Sequence, residues 1–466
     1  MRENALTVTN PSTGSLITEI AVDSHESAIA KLTAARRRFE QRREQLPLHA
    51  RIDILEKLAM LMRAQEEELA ALIALEGGKP LVDARVEAAR AIAGVRIAIN
   101  VISEERGSVV PLGHQAASAG RLNLTNKFPR GVVLAFSAFN HPLNLIVHQV
   151  VPAFASGCPC VVKPASDTPL SCLRLVELMH EAGVPEDYLS AVVLNDLNIA
   201  TAMVQSDDIA FFSFIGSARV GWMLRSQLQP GVRCALEHGG VAPAIVTPSA
   251  AIDLAAASIT KGGYYHAGQV CVSTQRVYVH KERKDELIDA LTQCVKALSV
   301  GDAFDAATDV GPLIRAAEVD RVESWVREAQ DAGAKIAVGG ERLQLGGGHF
   351  YAPTLVLDAP ADSRLSTQEV FGPVVNVTEY DQLEDALALA NLHPHAFQAA
   401  IYTESLSDAY AAFDAFDASA VMVNDHTAFR DDAMPFAGLK ASGLGVGGIP
   451  YTIEDMQFEK MLVLKQ

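Results

Sequence analysis

Residues 131–163 read GVVLAFSAFNHPLNLIVHQVVPAFASGCPCVVK. A short apolar run at 131–136 passes into an apolar helical pattern over 142–155, and a second short apolar run follows at 160–163. Strand, crossover helix and strand in succession predict a parallel βαβ unit. The alternation continues outward: helical at 170–181, extended at 191–194 and 209–214, helical at 218–228, extended at 234–237. Repetition of this kind predicts a parallel, doubly wound sheet, which takes its ligands beyond the carboxyl ends of its strands.

A second alternation begins at 244–246. It runs through a helix at 252–266, a strand at 276–280, helices at 284–298 and 317–332, and a strand at 335–338. A loop around 368–373, a helix at 383–391 and a strand at 419–423 complete a second α/β domain. Ahead of both, residues 25–75 and 80–105 space apolar side chains three and four apart (Leu55, Leu58, Met62), punctuated by Pro47 and by Gly77-Gly78-Lys79-Pro80. Residues 108–128 are expected to form an extended hairpin.

The chain of 466 residues is long enough for two or three domains, and 49% hydrophobic against 20% charged residues is a globular balance. A formal charge of -17 argues against a nucleic-acid partner. It also means that an anionic ligand needs local cations, backbone N–H groups or a helix N-terminus. Arg36-Arg37-Arg38 and Arg42-Arg43, set among Glu and Gln on a helical pattern, are expected to be solvated helix surface. Six irregularly spaced cysteines lack paired CxxC spacing, so no metal site is expected and a reduced compartment fits best. With no signal-peptide pattern and no membrane-length apolar run, the expected location is cytoplasmic, away from membranes.

Gly443-Leu444-Gly445-Val446-Gly447-Gly448 spells GxGxxG. A dinucleotide fingerprint needs an entering strand and a departing helix. Here no βαβ unit follows and Pro450 interrupts, so a flexible glycine loop is expected.

Other positions stay open when taken singly. Cys271 reads as an inert core thiol or as a nucleophile, which would require partial exposure, positive surroundings and a lowered pKa. Glu237, ending an apolar strand before Gly239-Gly240, is a solvated carboxylate or a buried base. Asn140 is a helix cap or an oxyanion donor. Lys163 is a surface lysine or a ribose and phosphate contact. Gly216-Ser217 is a helix cap or an anion site. Arg430 either pairs with its neighbours Asp431 and Asp432 or anchors a carboxylate.

Taken in order, the motifs resemble the aldehyde dehydrogenase superfamily over nearly the whole chain. They are Asn10-Pro11-Ser12-Thr13-Gly14, Gly78-Lys79-Pro80, Pro129-Arg130-Gly131-Val132, Asn140, Lys163-Pro164 and Phe214-Ile215-Gly216-Ser217. Leu236-Glu237-His238-Gly239-Gly240, Gly268-Gln269-Val270-Cys271, Gly311-Pro312-Leu313-Ile314, Glu369-Val370-Phe371-Gly372-Pro373 and Pro435–Gly443 follow. The resemblance implies NAD(P)-dependent oxidation of a small-molecule aldehyde to a carboxylic acid. Cys271 would be the nucleophile, Glu237 the base for the hydrolytic water, and Asn140 with the Cys271 N–H the oxyanion hole. Lys163 would bind the adenosine ribose, Gly216 and Ser217 the pyrophosphate, and Glu369 the nicotinamide ribose with Phe371 packed nearby.

It further implies a Rossmann-like cofactor domain (1–107 and 129–239), a catalytic domain (240–436) and a small β oligomerisation arm (108–128 and 455–466), in which Lys460–Leu464 pairs with 108–128. A homodimer or homotetramer is the expected state. Ser166 stands where NAD-preferring relatives carry Glu, so NADP is expected to be accepted. Phe139 replaces a usual Trp, His238 a common Leu, and Ala437 a usual Gly. His141, Asn144, His148 and Arg430 resemble the substrate side of relatives acting on small polar or anionic aldehydes. Two rivals stand beside this reading: a CoA-acylating semialdehyde dehydrogenase, which would tend to lack the base Glu237, and a non-catalytic binding protein on the same fold.

Overall fold

The computed structural model describes residues 5–41 and 45–465, so the expectation for Arg42-Arg43 lies outside the described residues. Two large sheets dominate. In the first, the strands follow the spatial order Gly443–Leu444, Arg233–Glu237, Ile209–Ile215, Val132–Phe136, Cys160–Lys163, Leu189–Ala191. The five strands between 132 and 237 are parallel. Their sequence order reverses between Val132–Phe136 and Ile209–Ile215, which opens a crevice at the carboxyl ends of those two strands.

Val132–Phe136 is buried at every position, so both faces of this strand must be apolar, and they are. The Asn144–Ser156 helix that follows is also buried along its whole length, as its near-continuous apolar sequence requires.

The second sheet has seven strands, in the order Lys335–Val338, Thr354–Leu357, Val374–Tyr380, Thr274–His280, Ala242–Val246, Gln398–Tyr402, Ala420–Val423. Only the first pair is antiparallel. Thr354–Leu357, Val374–Tyr380 and Gln398–Tyr402 were not predicted from the sequence. Thr354–Leu357 and Gln398–Tyr402 are buried on both faces, and so is Val374–Tyr380 over its first four residues, so none shows the alternation that marks a half-exposed strand. The chain is thus α/β with two doubly wound sheets.

A third, three-stranded sheet stands apart from both. Gln457–Lys465 pairs antiparallel with Arg121–Pro129 over nine residues, and Ser108–Val109 joins the other side. The C-terminal strand therefore extends beyond the expected Lys460–Leu464.

One expectation fails. Gly443–Leu444 is not a flexible loop but the antiparallel edge strand of the first sheet, paired with Leu236 and Glu237. Its glycines are demanded by close packing. A Cβ on Gly443 would lie 2.3 Å from the Leu236 carbonyl oxygen, and one on Gly447 would lie 2.2 Å from a Glu237 carboxylate oxygen.

Candidate active site

The parallel register delivers the site. Phe136 lies beside Lys163 and Phe214, and Ile215 beside Glu237, so four strand ends and the Gly216 turn meet on one edge. Facing them, a cleft of about 620 Å³ is walled by strand ends of the first sheet and by loop and helix residues around it, including Asn140, Lys163, Gly216, Glu237, Cys271 and Glu369. Ser217, Phe371, His141, Asn144 and Arg430 line it too. Of the sequence-predicted residues Ser166 and His148 stay outside the wall; the Ser166 hydroxyl donates to the Leu194 carbonyl at 3.3 Å, and His148 is buried against Asp432 at 2.8 Å.

Cys271 follows a tight turn. His266, Ala267 and Gly268 take φ of 48°, 54° and 69° in succession. For His266 and Ala267 this is costly backbone, about 1–2 kcal/mol each. A Cβ on Gly268 would stand 2.1 Å from the Gly372 carbonyl oxygen. The buried Gln269 side chain stabilises the turn: its amide nitrogen donates to the His266 and Pro312 carbonyls, and its oxygen accepts from the Ile314 N–H at 2.9 Å. That explains the Gly311–Ile314 motif, which has no chemistry of its own.

The Cys271 thiol is only partly buried by area, yet its surroundings push its pKa up to about 12. Desolvation is the largest cause, and Glu369 and Glu237 add to it while Arg430 opposes. The lowered pKa expected for a nucleophile is therefore contradicted, because one guanidinium does not outweigh burial beside two carboxylates.

Burial likewise raises Glu237 above the usual carboxylate range, with Arg430 pulling it down, so it is not a solvated strand end. Asn140 is not a helix cap either. Its amide donates to the Gln269 carbonyl at 2.9 Å, two residues before the thiol.

The loop that carries Glu369 is held by Gln275 of the Thr274–His280 strand. The Gln275 amide donates to the Leu365 and Gln368 carbonyls, and its oxygen accepts from the Val370 N–H. Burial pushes Glu369 up to about 8, Arg321 and the Gly240 N–H opposing. One of its oxygens is buried without a hydrogen-bond partner among the described residues. Phe371, in left-handed backbone at φ 44°, meets Phe139 edge to face at 5.7 Å. Lys163 lies in the cleft wall rather than on the surface, its amine donating to the Pro164 carbonyl. Ser217 precedes the Ala218–Arg225 helix but makes no side-chain cap bond.

The far wall carries a network of which the sequence showed only parts. Asp432 accepts from Arg90 at 2.7 Å, from His148 at 2.8 Å and from Asn144 at 3.2 Å. Arg430 does not pair with Asp431 or Asp432. It contacts His148 at 3.2 Å and lies 3.6 Å from the centre of the Phe436 ring. Missed altogether was the fully buried pair Lys79–Glu87. The second Glu87 oxygen accepts the Leu143 and Asn144 N–H groups at the start of the Asn144–Ser156 helix. Lys79 stands in the Gly78-Lys79-Pro80 motif, but nothing in its spacing reveals a partner eight residues on.

No cluster of His, Cys, Asp or Glu among the described residues suits a metal ion. No described helix is long and apolar enough to cross a membrane.

A two-sheet α/β architecture with a thiol, two raised carboxylates and an amide around one cleft defines a class of α/β oxidoreductase. The aldehyde dehydrogenase family profile matches residues 1–462, and the chain belongs to that family. It is similar to the 3-sulfolactaldehyde dehydrogenase of Priestia aryabhattai, 38% identical over 417 residues covering 89% of this chain and 86% of that one. Among solved structures, it resembles glyceraldehyde-3-phosphate dehydrogenase GapN from Methanocaldococcus jannaschii complexed with NADP, with a TM-score of 0.94, 31% identity and all of both chains covered. Aldehyde dehydrogenase 21 from Physcomitrella patens, in complex with the product succinate, gives a TM-score of 0.94 at 32% identity, covering 100% of this chain and 96% of that one. The chain is accordingly an aldehyde-oxidising enzyme.

Proposed function

We propose that this protein oxidises a small anionic aldehyde to its carboxylic acid with NAD(P)+, through a covalent adduct on Cys271. The observation that carries the reading is the convergence of Cys271, Glu237 and Asn140 on one cleft, from segments far apart in sequence.

The cleft fits the dinucleotide. Glu369 offers a buried, unpartnered acceptor to a ribose hydroxyl, and the bare backbone of Gly239 leaves room for that carboxyl: a Cβ there would fall 1.7 Å from its oxygen. Lys163 and the Gly216-Ser217 turn supply donors for the adenosine ribose and the pyrophosphate. Ser166 brings no carboxylate to repel a 2′-phosphate, which favours acceptance of NADP.

In the chemical step Glu237, made more basic by burial, takes the thiol proton as the Cys271 sulfur bonds to the aldehyde carbon. Charge developing on the aldehyde oxygen is met by the Asn140 amide and the Cys271 N–H. NAD(P)+, when bound, supplies the hydride acceptor that turns this adduct into a thioester. Glu237, having released the thiol proton to solvent, then takes a proton from the water that attacks the thioester and passes it to the departing Cys271 sulfur as the acid leaves.

Arg430, turned from its acidic neighbours toward His148 and the cleft, suits a carboxylate or sulfonate on the substrate, with Asn144 and His141 nearby. The 3-sulfolactaldehyde and succinate of the relatives' names favour the same substrate class. The chain's net charge of -17 is offset in the cleft by Arg90, Lys163, Arg315, Arg321 and Arg430.

A dimer or tetramer is supported by apolar side chains left exposed on the three-stranded arm: Val109, Phe458 and Met461 to Leu464. Leu406, Tyr410 and Phe413 on one exposed helix face add to this. Free cysteines among the described residues are consistent with a reducing cytoplasm.

The deciding experiment is an aldehyde panel with both cofactors, with and without CoA, using Cys271→Ala as control. The expected result is acid formation without CoA that is lost in Cys271→Ala, and slowed formation of an acyl-enzyme that then stalls in Glu237→Gln. Wild-type aldehyde oxidation in Cys271→Ala would remove the nucleophile, and a strict CoA requirement would replace hydrolysis by acyl transfer.

A further inference from the structure

We infer that His238 is a positioning residue for the dinucleotide: its imidazole grips the Gly216-Ser217 turn from the strand that carries Glu237. The inference rests on the proposed role of that turn at the cofactor's phosphates.

Gly216 lies at φ +159°, where a Cβ would come within 2.9 Å of the Phe214 ring. Glycine satisfies that backbone but stiffens nothing, so the turn must be held from outside. Residues 237 and 238 hold both its polar ends. The Gly216 N–H donates to the Glu237 carbonyl at 3.0 Å, and the Gly216 carbonyl accepts from His238 Nδ1 at 3.0 Å. A carbonyl only accepts, so Nδ1 carries the proton and Nε2 keeps its lone pair. Nε2 is buried with no hydrogen-bond partner among the described residues, so the ring serves the turn through one nitrogen only.

The ring cannot swing away. It sits edge-on between Phe214 and Trp222, each 5.7 Å from its centre. Trp222 is itself fixed by a 3.0 Å hydrogen bond to the Ala441 carbonyl. Below the ring lies Gly221, where a Cβ would be 2.0 Å from His238 Cε1. The imidazole thus occupies the volume of a side chain on the Ala218–Arg225 helix, and His238 and Gly221 are matched to each other. Leucine fills part of that space but donates nothing. Asparagine places an amide N–H near the position of Nδ1, whereas glutamine places it one bond further on.

The test compares wild type, His238→Leu, His238→Asn, His238→Gln and Gly221→Ala by steady-state kinetics and by NAD(P)+ titration of tryptophan fluorescence. With one donor lost from the turn, His238→Leu should raise the Kd and KM for NAD(P)+ about tenfold, with kcat and the aldehyde KM within about twofold. His238→Asn should stay within about threefold of wild type, while His238→Gln and Gly221→Ala should behave as His238→Leu does. If His238→Leu does not fold, the Asn and Gln variants carry the comparison. An unchanged cofactor Kd in His238→Leu, or equal impairment of the Asn and Gln variants, would overturn the inference. A wild-type protein that does not bind NAD(P)+ would instead overturn the phosphate reading beneath it, a result distinguishable from the first.

Discussion

At the residue scale, an unfavourable thiol is answered by a strong base. With Cys271 held near 12, almost no thiolate exists at neutral pH, so turnover depends on Glu237 being ionised. Because burial raises Glu237 above its ordinary value of 4.5, activity should vanish in acid and rise with pH through a midpoint above 4.5. A kcat profile with its acid limb at or below 4.5 would detach Glu237 from the chemistry. Asn140→Ala should lower kcat by about 10²–10³, the usual loss for one oxyanion donor, with little change in the aldehyde KM. Steady-state assays check both. Taken singly these three residues stayed open in the sequence, and only the ordered motifs gave them roles, through the resemblance to the family. Their electrostatics stayed hidden, since the depth of burial and the facing Arg430 come from other segments.

At the element scale, the Asn144–Ser156 helix is the support on which the substrate wall is built. A wholly buried helix must have its first N–H groups satisfied by protein, and Glu87 does this from another helix. Lys79 compensates that carboxylate in turn. Removing one partner of such a buried pair typically costs about 3–5 kcal/mol. Glu87→Ala should therefore lower stability by roughly that amount in urea unfolding, and it should also impair kcat, because Asn140 and His141 immediately precede this helix. The helix itself was plain from its apolar pattern. Its buried cap was not, since Glu87 in sequence is an ordinary helical glutamate.

At the scale of the whole molecule, Asp432 pairs with Arg90, 342 positions earlier in the chain. Hydrogen bonds from His148 and the charge of Arg90 hold its carboxyl well below 3.8 against the effect of burial. A depressed acid contributes stability above its unfolded pKa and loses it as the pH falls. Asp432→Asn should thus be several kcal/mol less stable than wild type at pH 7, and the gap should narrow as the pH drops below 3.8; urea melts across pH measure this. The proposed dimer or tetramer rests on the exposed apolar side chains of the arm. Leu462→Glu together with Leu464→Glu should shift the mass seen by analytical ultracentrifugation toward the monomer, and an unchanged mass would point the interface elsewhere.

Alternation of short apolar runs with helical patterns was enough to predict a doubly wound sheet and a second α/β domain, although three strands of the second sheet escaped it. Ordered motifs were enough to identify the family. Only the tertiary structure decided that the late glycine run is an edge strand making room for Glu237, that Arg430 turns from its acidic neighbours to the cleft, and that Lys79, Glu87 and Gln269 hold the site from behind. Each of those facts depends on which distant segment lies opposite, and hydrophobic periodicity along one strand or helix carries no information about its neighbours across the fold.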